Sequence, residues 1–370
     1  MSKTEVWTAL RQYYIVAFYA KIGFMKNIPE TMHGVLLTGH GGLEKLEYKT
    51  NISVPVAKED EVLIKVAAAG VNNTDINTRT GWYSKSKNND GSSWSGAPLK
   101  FPLIQGIDVC GTIVSVGSKI NSSRIGERVI ARPMQTDPKN LAKPNMITLG
   151  SEIDGAFAQY VAIRSSETFA INCKWTDAEL GSIPCSYSTA EGLLHRVKLG
   201  AEKIFINGAS GGVGSAAIQL AKIRKAHITA QCSLSKINEI KKIGANEVVS
   251  RESDLVKELG KNKYDVVIDL VAGDKWSQLC DILKPGGRYA TSGAIAGPIV
   301  NLDVRTLYLK DLTFYGCTYQ PIEIFQNLIK YIETGKIKPL VAKTYPLNEI
   351  KKAQEDFLLK KHVGKLVLFP

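Results

Sequence analysis

Short apolar runs broken by glycine open the ordered pattern of this chain. His33-Gly34-Val35-Leu36-Leu37, Glu61-Val62-Leu63-Ile64-Lys65-Val66 and Gly111-Thr112-Ile113-Val114-Ser115-Val116 have the β-branched and aliphatic make-up of strands. Their close spacing predicts a β-rich region through about residue 180. Beyond Ile183 strand and helix patterns alternate. The strands are Lys203 to Asn207, His227 to Cys232, Glu247 to Ser250, Tyr264 to Leu270 and one after the Pro285-Gly286-Gly287 turn; the helices are Val213 to Arg224, Lys236 to Ile243, Asp254 to Leu259 and Trp276 to Leu283. This repetition predicts an α/β unit with a parallel, doubly wound sheet. A run from Glu323 to Thr334 and a last strand, Lys365 to Phe369, are expected to return to the first region.

Two stretches depart from the pattern. Residues 1–31 contain an aromatic octet, Tyr13 to Ala20, between Arg11 and Lys21. It is too short to span a bilayer and lacks the small-x-small site of a secretory signal, so an accessory extension is expected. Ser84 to Gly96 (SKSKNNDGSSWSG) is polar and rich in Gly and Ser, and reads as a loop.

A length of 370 residues gives room for two or so domains, each with its own core. With 44% hydrophobic and 22% charged residues, disorder is excluded. No uninterrupted apolar stretch reaches the roughly 18 residues of a membrane helix, so no membrane partner is expected. Six scattered cysteines without a C-x-x-C pair fit buried thiols in a reducing, cytoplasmic setting. The formal charge of +12 raises the question of a nucleic-acid partner. Lys236, Glu239, Lys241, Lys242, Glu247 and Arg251 show both signs mixed, which predicts a solvated basic surface instead.

The sharpest local signal is Ile204-Phe205-Ile206-Asn207-Gly208-Ala209-Ser210-Gly211-Gly212-Val213-Gly214: an apolar strand, a small-residue turn, then a helix. Glycines in such a turn let backbone approach a pyrophosphate, whose charge meets free N–H groups at the helix start. Ala209, Ser210, Gly211, Gly212, Val213 and Gly214 are therefore candidate cofactor contacts. The second strand ends Cys232-Ser233-Leu234-Ser235-Lys236, without the acid that would hold the ribose 2′-hydroxyl of NAD. Ser233 and Lys236, with Arg251 at the end of the next strand, suit a 2′-phosphate, so NADP(H) is the expected cofactor.

The order of a β-rich region, an A-S-G-G-V-G turn and a returning tail resembles the medium-chain dehydrogenase/reductase superfamily over about Met32 to Pro370. The motifs that carry the resemblance are Ala69-Gly70-Val71-Asn72-Asn73-Thr74-Asp75, Gln105-Gly106-Ile107-Asp108 with Gly111 and Val114, Arg124-Ile125-Gly126-Glu127-Arg128-Val129, and Gly155-Ala156-Phe157-Ala158-Gln159-Tyr160. The resemblance implies a Rossmann domain at 185–319 and a discontinuous, β-rich GroES-like catalytic domain at 32–184 and 320–370. In the superfamily's zinc alcohol dehydrogenases the metal ligands stand where this chain has Asn72, Ile107 and Cys185. Ile107 cannot bind a cation, so no catalytic metal is expected. The four-cysteine structural zinc lobe is missing too, since no Cys occurs between Val129 and Ile171.

Asn72-Asn73-Thr74-Asp75 followed by Arg79-Thr80-Gly81-Trp82-Tyr83 is similar to the V-N-x-x-D…R-x-G-x-Y pattern of the zinc-free quinone oxidoreductase group. That resemblance implies an NADPH-dependent reductase of quinones or α,β-unsaturated carbonyls. Alternatives are an alcohol/aldehyde oxidoreductase, or a non-catalytic NADPH-binding protein that offers its basic surface to RNA or an acidic partner. Negative charge grows on the acceptor's oxygen during conjugate reduction, and the candidate donors to it are Tyr83, Asn72 and Thr74. Asp75 and Asp108 are expected to orient their neighbours. By resemblance, Ser292, Gly293 and Gly316 face the nicotinamide amide and Lys365 of the C-terminal Gly-Lys lies near cofactor. The strand Leu312 to Tyr319 resembles an edge that joins two copies, which implies a homodimer.

Overall fold

Strand Glu61–Gly70 organises the first half of the molecule, known from a computed structural model that describes residues 28–84, 98–137 and 146–370. The aromatic octet and all of the Ser84 to Gly96 loop except Ser84 lie outside the described residues. Glu61–Gly70 is buried along most of its length, because it pairs antiparallel with Cys110–Val116 and, through its first half, with Tyr160–Arg164. Its last residues, Ala69 and Gly70, pair with Leu368 and Val367 of the C-terminal strand Lys365–Phe369. This sheet also holds Arg128–Ala131, Thr168–Ala170 and Val341–Pro346. At the end of Glu61–Gly70 the chain turns into helix α1, Asn73–Thr80, with Asn72 at its N-cap.

Helix α2, Pro184–Arg196, leads into the second half and starts with a proline, whose missing N–H costs nothing in a first turn. There the six strands Lys203–Asn207, His227–Cys232, Glu247–Ser250, Tyr264–Asp269, Leu283–Thr291 and Thr313–Gly316 form one sheet. Numbered along the chain, their order is 3-2-1-4-5-6, all parallel: the doubly wound sheet expected. Gln231, Asn207, Asp269, Thr291 and Gly316 stand in one row across its carboxyl edge. Ligands bind beyond that edge in such sheets. Helix α3, Gly212–Ile223, packs its Ala216, Ala217, Leu220 and Ala221 into the core beneath.

The Glu323 to Thr334 run forms helix α4, Ile322–Glu333, which touches both halves: Phe325 lies against Phe169 of strand Thr168–Ala170 with ring centroids 5.0 Å apart, and Glu333 accepts from Asn172 N–H at 3.1 Å. Its Phe325, Leu328 and Ile332 share one helical face and lie in a common core with Leu193, Leu194 and Ile218, so α4 packs on α2. Only Val341–Pro346 and Lys365–Phe369 rejoin the first sheet. One expectation is corrected here. The Leu312 to Tyr319 strand is shorter, Thr313–Gly316, because the backbone then leaves the sheet and its carbonyls find arginines. Arg196 donates to Tyr319 O at 3.0 Å and Arg132 to Gln320 O at 2.8 Å. Arg132 is itself buried and paired with Glu167 at 2.6 Å, which ties the two halves at this crossing.

Candidate active site and cofactor cleft

The glycine-rich turn sits at the carboxyl edge of the sheet, where the sequence places it. Gly211 is the N-cap of α3 and supplies no side-chain acceptor, so the first-turn N–H groups are left for an anion. A Cβ on Gly214 would lie 2.3 Å from Gly208 O and one on Gly212 would lie 2.8 Å from Lys365 Cδ, so the close approaches require glycine. Thr291 pairs with Gly316, and Ser292 and Gly293 follow it, so these three are brought together at the same edge. The Ser292 hydroxyl is buried there without a hydrogen-bond partner among the described residues. Uncapped N–H groups, a cradle that side chains would fill and an orphaned hydroxyl fit a dinucleotide with a carboxamide end.

The predicted 2′-phosphate contacts are arranged differently from expectation. Lys236 is buried, and its ammonium donates to the backbone carbonyls of Lys360 at 2.6 Å and His362 at 2.8 Å. Arg251 is exposed and pairs with Glu252 at 3.0 Å; Ser233 Oγ lies 3.4 Å from Ser235 Oγ. The segment 360–365 is thus a basic strap over the nucleotide end of the cleft. Gly364 N–H donates to Ser210 O at 3.3 Å, and Lys360 reaches Asn73 Oδ1 at 2.9 Å. Burial, with Lys236 and Lys365 nearby, pushes Lys360 down to about 8. The same causes hold His362 down at about 4, and hence neutral at pH 7. Neither Lys360 nor His362 stands in a motif, and sequence reasoning missed both.

The polar cradle lies where the end of Glu61–Gly70 meets the C-terminal strand. Val71 N–H donates to Leu366 O at 2.9 Å, and this register delivers the neighbouring Lys365 to the N-terminus of α1. Lys365 is almost wholly buried; its ammonium donates to Val71 O at 2.9 Å and to Asn72 Oδ1, and lies 3.0 Å from Asp108 Oδ2. Its stem runs past Gly212, so it adjoins the turn as expected, while its head belongs to the cradle. The Asn72 amide nitrogen donates to Gly70 O at 3.2 Å and Asp108 Oδ2 at 2.9 Å. Both hydrogens are committed, which corrects the expectation that Asn72 is a donor to the substrate. Asp108 Oδ1 accepts from Cys185 N–H at 2.6 Å, and Asp75 accepts from Asn72 N–H at 2.8 Å, the orienting roles expected of both acids. Burial pushes the Asp75 carboxyl up to about 7.

Thr74 is buried in the first turn of α1, beside this cradle, and its hydroxyl makes no hydrogen bond among the described residues. Tyr83 lies past the other end of α1, half-buried, with its hydroxyl 3.4 Å from Asn77 Nδ2 and its ring edge-on to Trp82. The structure therefore does not gather the three predicted donors around one point. Nor does the cradle fit a zinc ion. Ile107 offers no donor atom, Asn72 Oδ1 is held by Lys365, and burial followed by the nearby Asp108 pushes the Cys185 thiol up to about 12.

Comparison with known proteins agrees with this geometry. Residues 58–172 match the alcohol dehydrogenase GroES-like domain and residues 243–368 the zinc-binding dehydrogenase family. The NADPH-dependent alkenal/one oxidoreductase of Arabidopsis thaliana is 31% identical over 93% of this chain and 81% of its own length. Human quinone oxidoreductase is 29% identical over 91% of this chain and 97% of its own. A crystal structure of a candidate alcohol dehydrogenase from Sinorhizobium meliloti 1021 superposes with a TM-score of 0.89 at 44% identity, covering 94% of this chain and 99% of that one. With that ancestry and these two half-sites, the chain belongs to the medium-chain dehydrogenase/reductase superfamily of oxidoreductases, in its quinone oxidoreductase-like branch.

Proposed function

We propose that the protein is an NADPH-dependent, metal-independent reductase that passes hydride to quinones or to the β-carbon of α,β-unsaturated carbonyls. The observation that carries this reading is the meeting, in one cleft, of a glycine turn suited to a dinucleotide and a polar cradle centred on the Lys365 ammonium where zinc relatives keep their ligands. The names of the Arabidopsis and human relatives point the same way. NADPH is preferred over NADH in this reading because the second strand ends without an acid and the strap holds Lys236 beside Lys360 at the nucleotide end.

When bound, the cofactor supplies the hydride. The chain's own part is to hold the phosphates at the start of α3, take the carboxamide at Ser292, and stabilise the negative charge that grows on the acceptor's oxygen. Thr74, with an uncommitted hydroxyl, is the donor for that oxygen. Tyr83, at the far end of α1, takes the part of a wall of the substrate pocket in this reading, and water is the proton source.

Homodimerisation belongs to the same reading. Among the described residues strand Thr313–Gly316 is paired on one side only, and Ile299, Val304, Tyr308 and Leu309, just before it in the chain, expose large apolar surface. A second copy against this edge would cover both. A cytoplasmic location is supported by six cysteines, all free; no helix among the described residues is long and apolar enough to cross a membrane.

The alcohol/aldehyde alternative is favoured by names, those of the Sinorhizobium structure and of the family matched by residues 58–172. A steady-state screen of quinones, enones, aldehydes and alcohols with both cofactors separates the readings. Turnover of enones or quinones with NADPH is expected. Activity confined to alcohols or aldehydes overturns the proposal.

A further inference from the structure

We propose that Lys365 is a positioning residue of the reacting centre: its ammonium cancels the Asp108 carboxylate, so that hydride transfer places its new negative charge beside a neutral pair and not beside a bare anion. The inference rests on the reductase reading above. Lys365 and Asp108 are both buried and 3.0 Å apart. The ammonium donates to Val71 O and to Asn72 Oδ1 and pairs with Asp108 Oδ2, so Lys365 is engaged with the chain's own groups. Its effect runs through charge, and through Asn72, whose carbonyl it fixes so that the amide hydrogens face Gly70 O and Asp108.

The cradle holds two acids, Asp75 and Asp108, and one cation. With Lys365 gone, Asp108 keeps only the Asn72 amide and the Cys185 N–H, both neutral donors. A carboxylate left so in a low-dielectric cleft opposes an enolate or hydroquinone anion forming nearby, by an amount that corresponds to roughly 10- to 100-fold in rate. A neutral pair at the same two positions carries no such penalty. That difference separates charge cancellation from a contact with the cofactor, which a change at Asp108 cannot replace.

The test compares Lys365→Met with the double variant Lys365→Met/Asp108→Asn in the full-length protein. Three quantities are read: kcat at saturating NADPH on the best enone or quinone, Kd for NADPH, and the Tm of the cofactor-free protein. The single variant is expected to lose roughly 10- to 100-fold in kcat and several degrees of Tm. The double variant is expected to regain at least tenfold of the kcat and most of the Tm. Recovery of Tm without kcat would show a purely structural pair and overturn the proposal. A rise in Kd for NADPH with kcat unchanged would show a cofactor contact and overturn it as well. If Lys365→Met does not fold, the double variant alone decides: kcat within tenfold of the unaltered protein supports the proposal, and a loss beyond a hundredfold contradicts it. Failure of the reductase reading looks different, because the unaltered protein then oxidises NADPH with none of the acceptors, and both fall together.

Discussion

Lys236 donates its ammonium to the backbone carbonyl of Lys360 at 2.6 Å, joining the end of the second nucleotide strand to a strap 124 residues further along the chain. A cofactor 2′-phosphate at this end competes with two carbonyls for the same cation, and a charged acceptor is the stronger partner. Lys236→Ala is therefore expected to weaken NADPH about 10- to 100-fold, the worth of a charge-assisted hydrogen bond, and to change NADH by less than about threefold. Calorimetric titration of both cofactors checks this. Equal affinities in the unaltered protein would remove the 2′-phosphate site.

Lys360, held down to about 8 by burial and by Lys236 and Lys365, titrates within the working range of the protein. Below pH 8 it is charged and attracts phosphate; above, it is neutral. NADPH affinity is thus expected to fall about three- to tenfold between pH 7 and pH 9, an order-of-magnitude figure for the loss of one nearby charge. Lys360→Met should flatten that dependence. Fluorescence titrations at pH 7, 8 and 9 measure it, and an equal slope in both proteins contradicts the assignment.

Thr74→Val removes the uncommitted hydroxyl beside the cradle and is expected to lower kcat and kcat/KM together by about 10- to 1000-fold, as loss of one oxyanion donor does. Tyr83→Phe should fall at the lower end of that range if Tyr83 also donates. A rise in KM for bulky acceptors alone would make Tyr83 a pocket wall. Asn72→Ala acts otherwise, since its amide is committed: it should lower Tm by loosening α1 and Lys365.

Asp75 binds its proton more tightly folded than unfolded, at about 7 against an ordinary 3.8. The stability this gives is full below about pH 4 and lost as pH rises through 7. Above pH 7 the folded protein carries the cost of a buried charge, which Asp75→Asn removes. The variant should lie closer to the parent at pH 5 than at pH 8, where it should exceed the parent by a few kcal/mol. Chemical denaturation at the two pH values decides, and a variant that is less stable at pH 8 than at pH 5, relative to the parent, contradicts the assignment.

What the sequence showed depended on how far apart the partners are. The run from Ile204 to Gly214 is one continuous window, and strand, turn and helix follow one another there in the order its pattern predicts. Ser292, Gly293 and Gly316, singled out by resemblance, each end or follow a parallel strand of the same sheet, so their common edge follows from the strand order. Lys365 was found as a motif residue but its place was not, because it meets Asn72 across 293 residues through strand pairing that no local pattern encodes. Asn72 misled for the converse reason. An amide in a cleft looks like a free donor until Gly70 O and Asp108 are seen to take its hydrogens. The packing of helix α4 on α2 was missed because an amphipathic face shows that it is buried and not what buries it.

The most direct test of the account is to strip the protein exhaustively with a chelator, confirm well under one zinc per chain, and identify the product formed from an enone and NADPH. Undiminished turnover and a saturated ketone are expected, the carbon–carbon double bond reduced and the carbonyl intact. Turnover that depends on a stoichiometric metal, or an allylic alcohol as product, would contradict it.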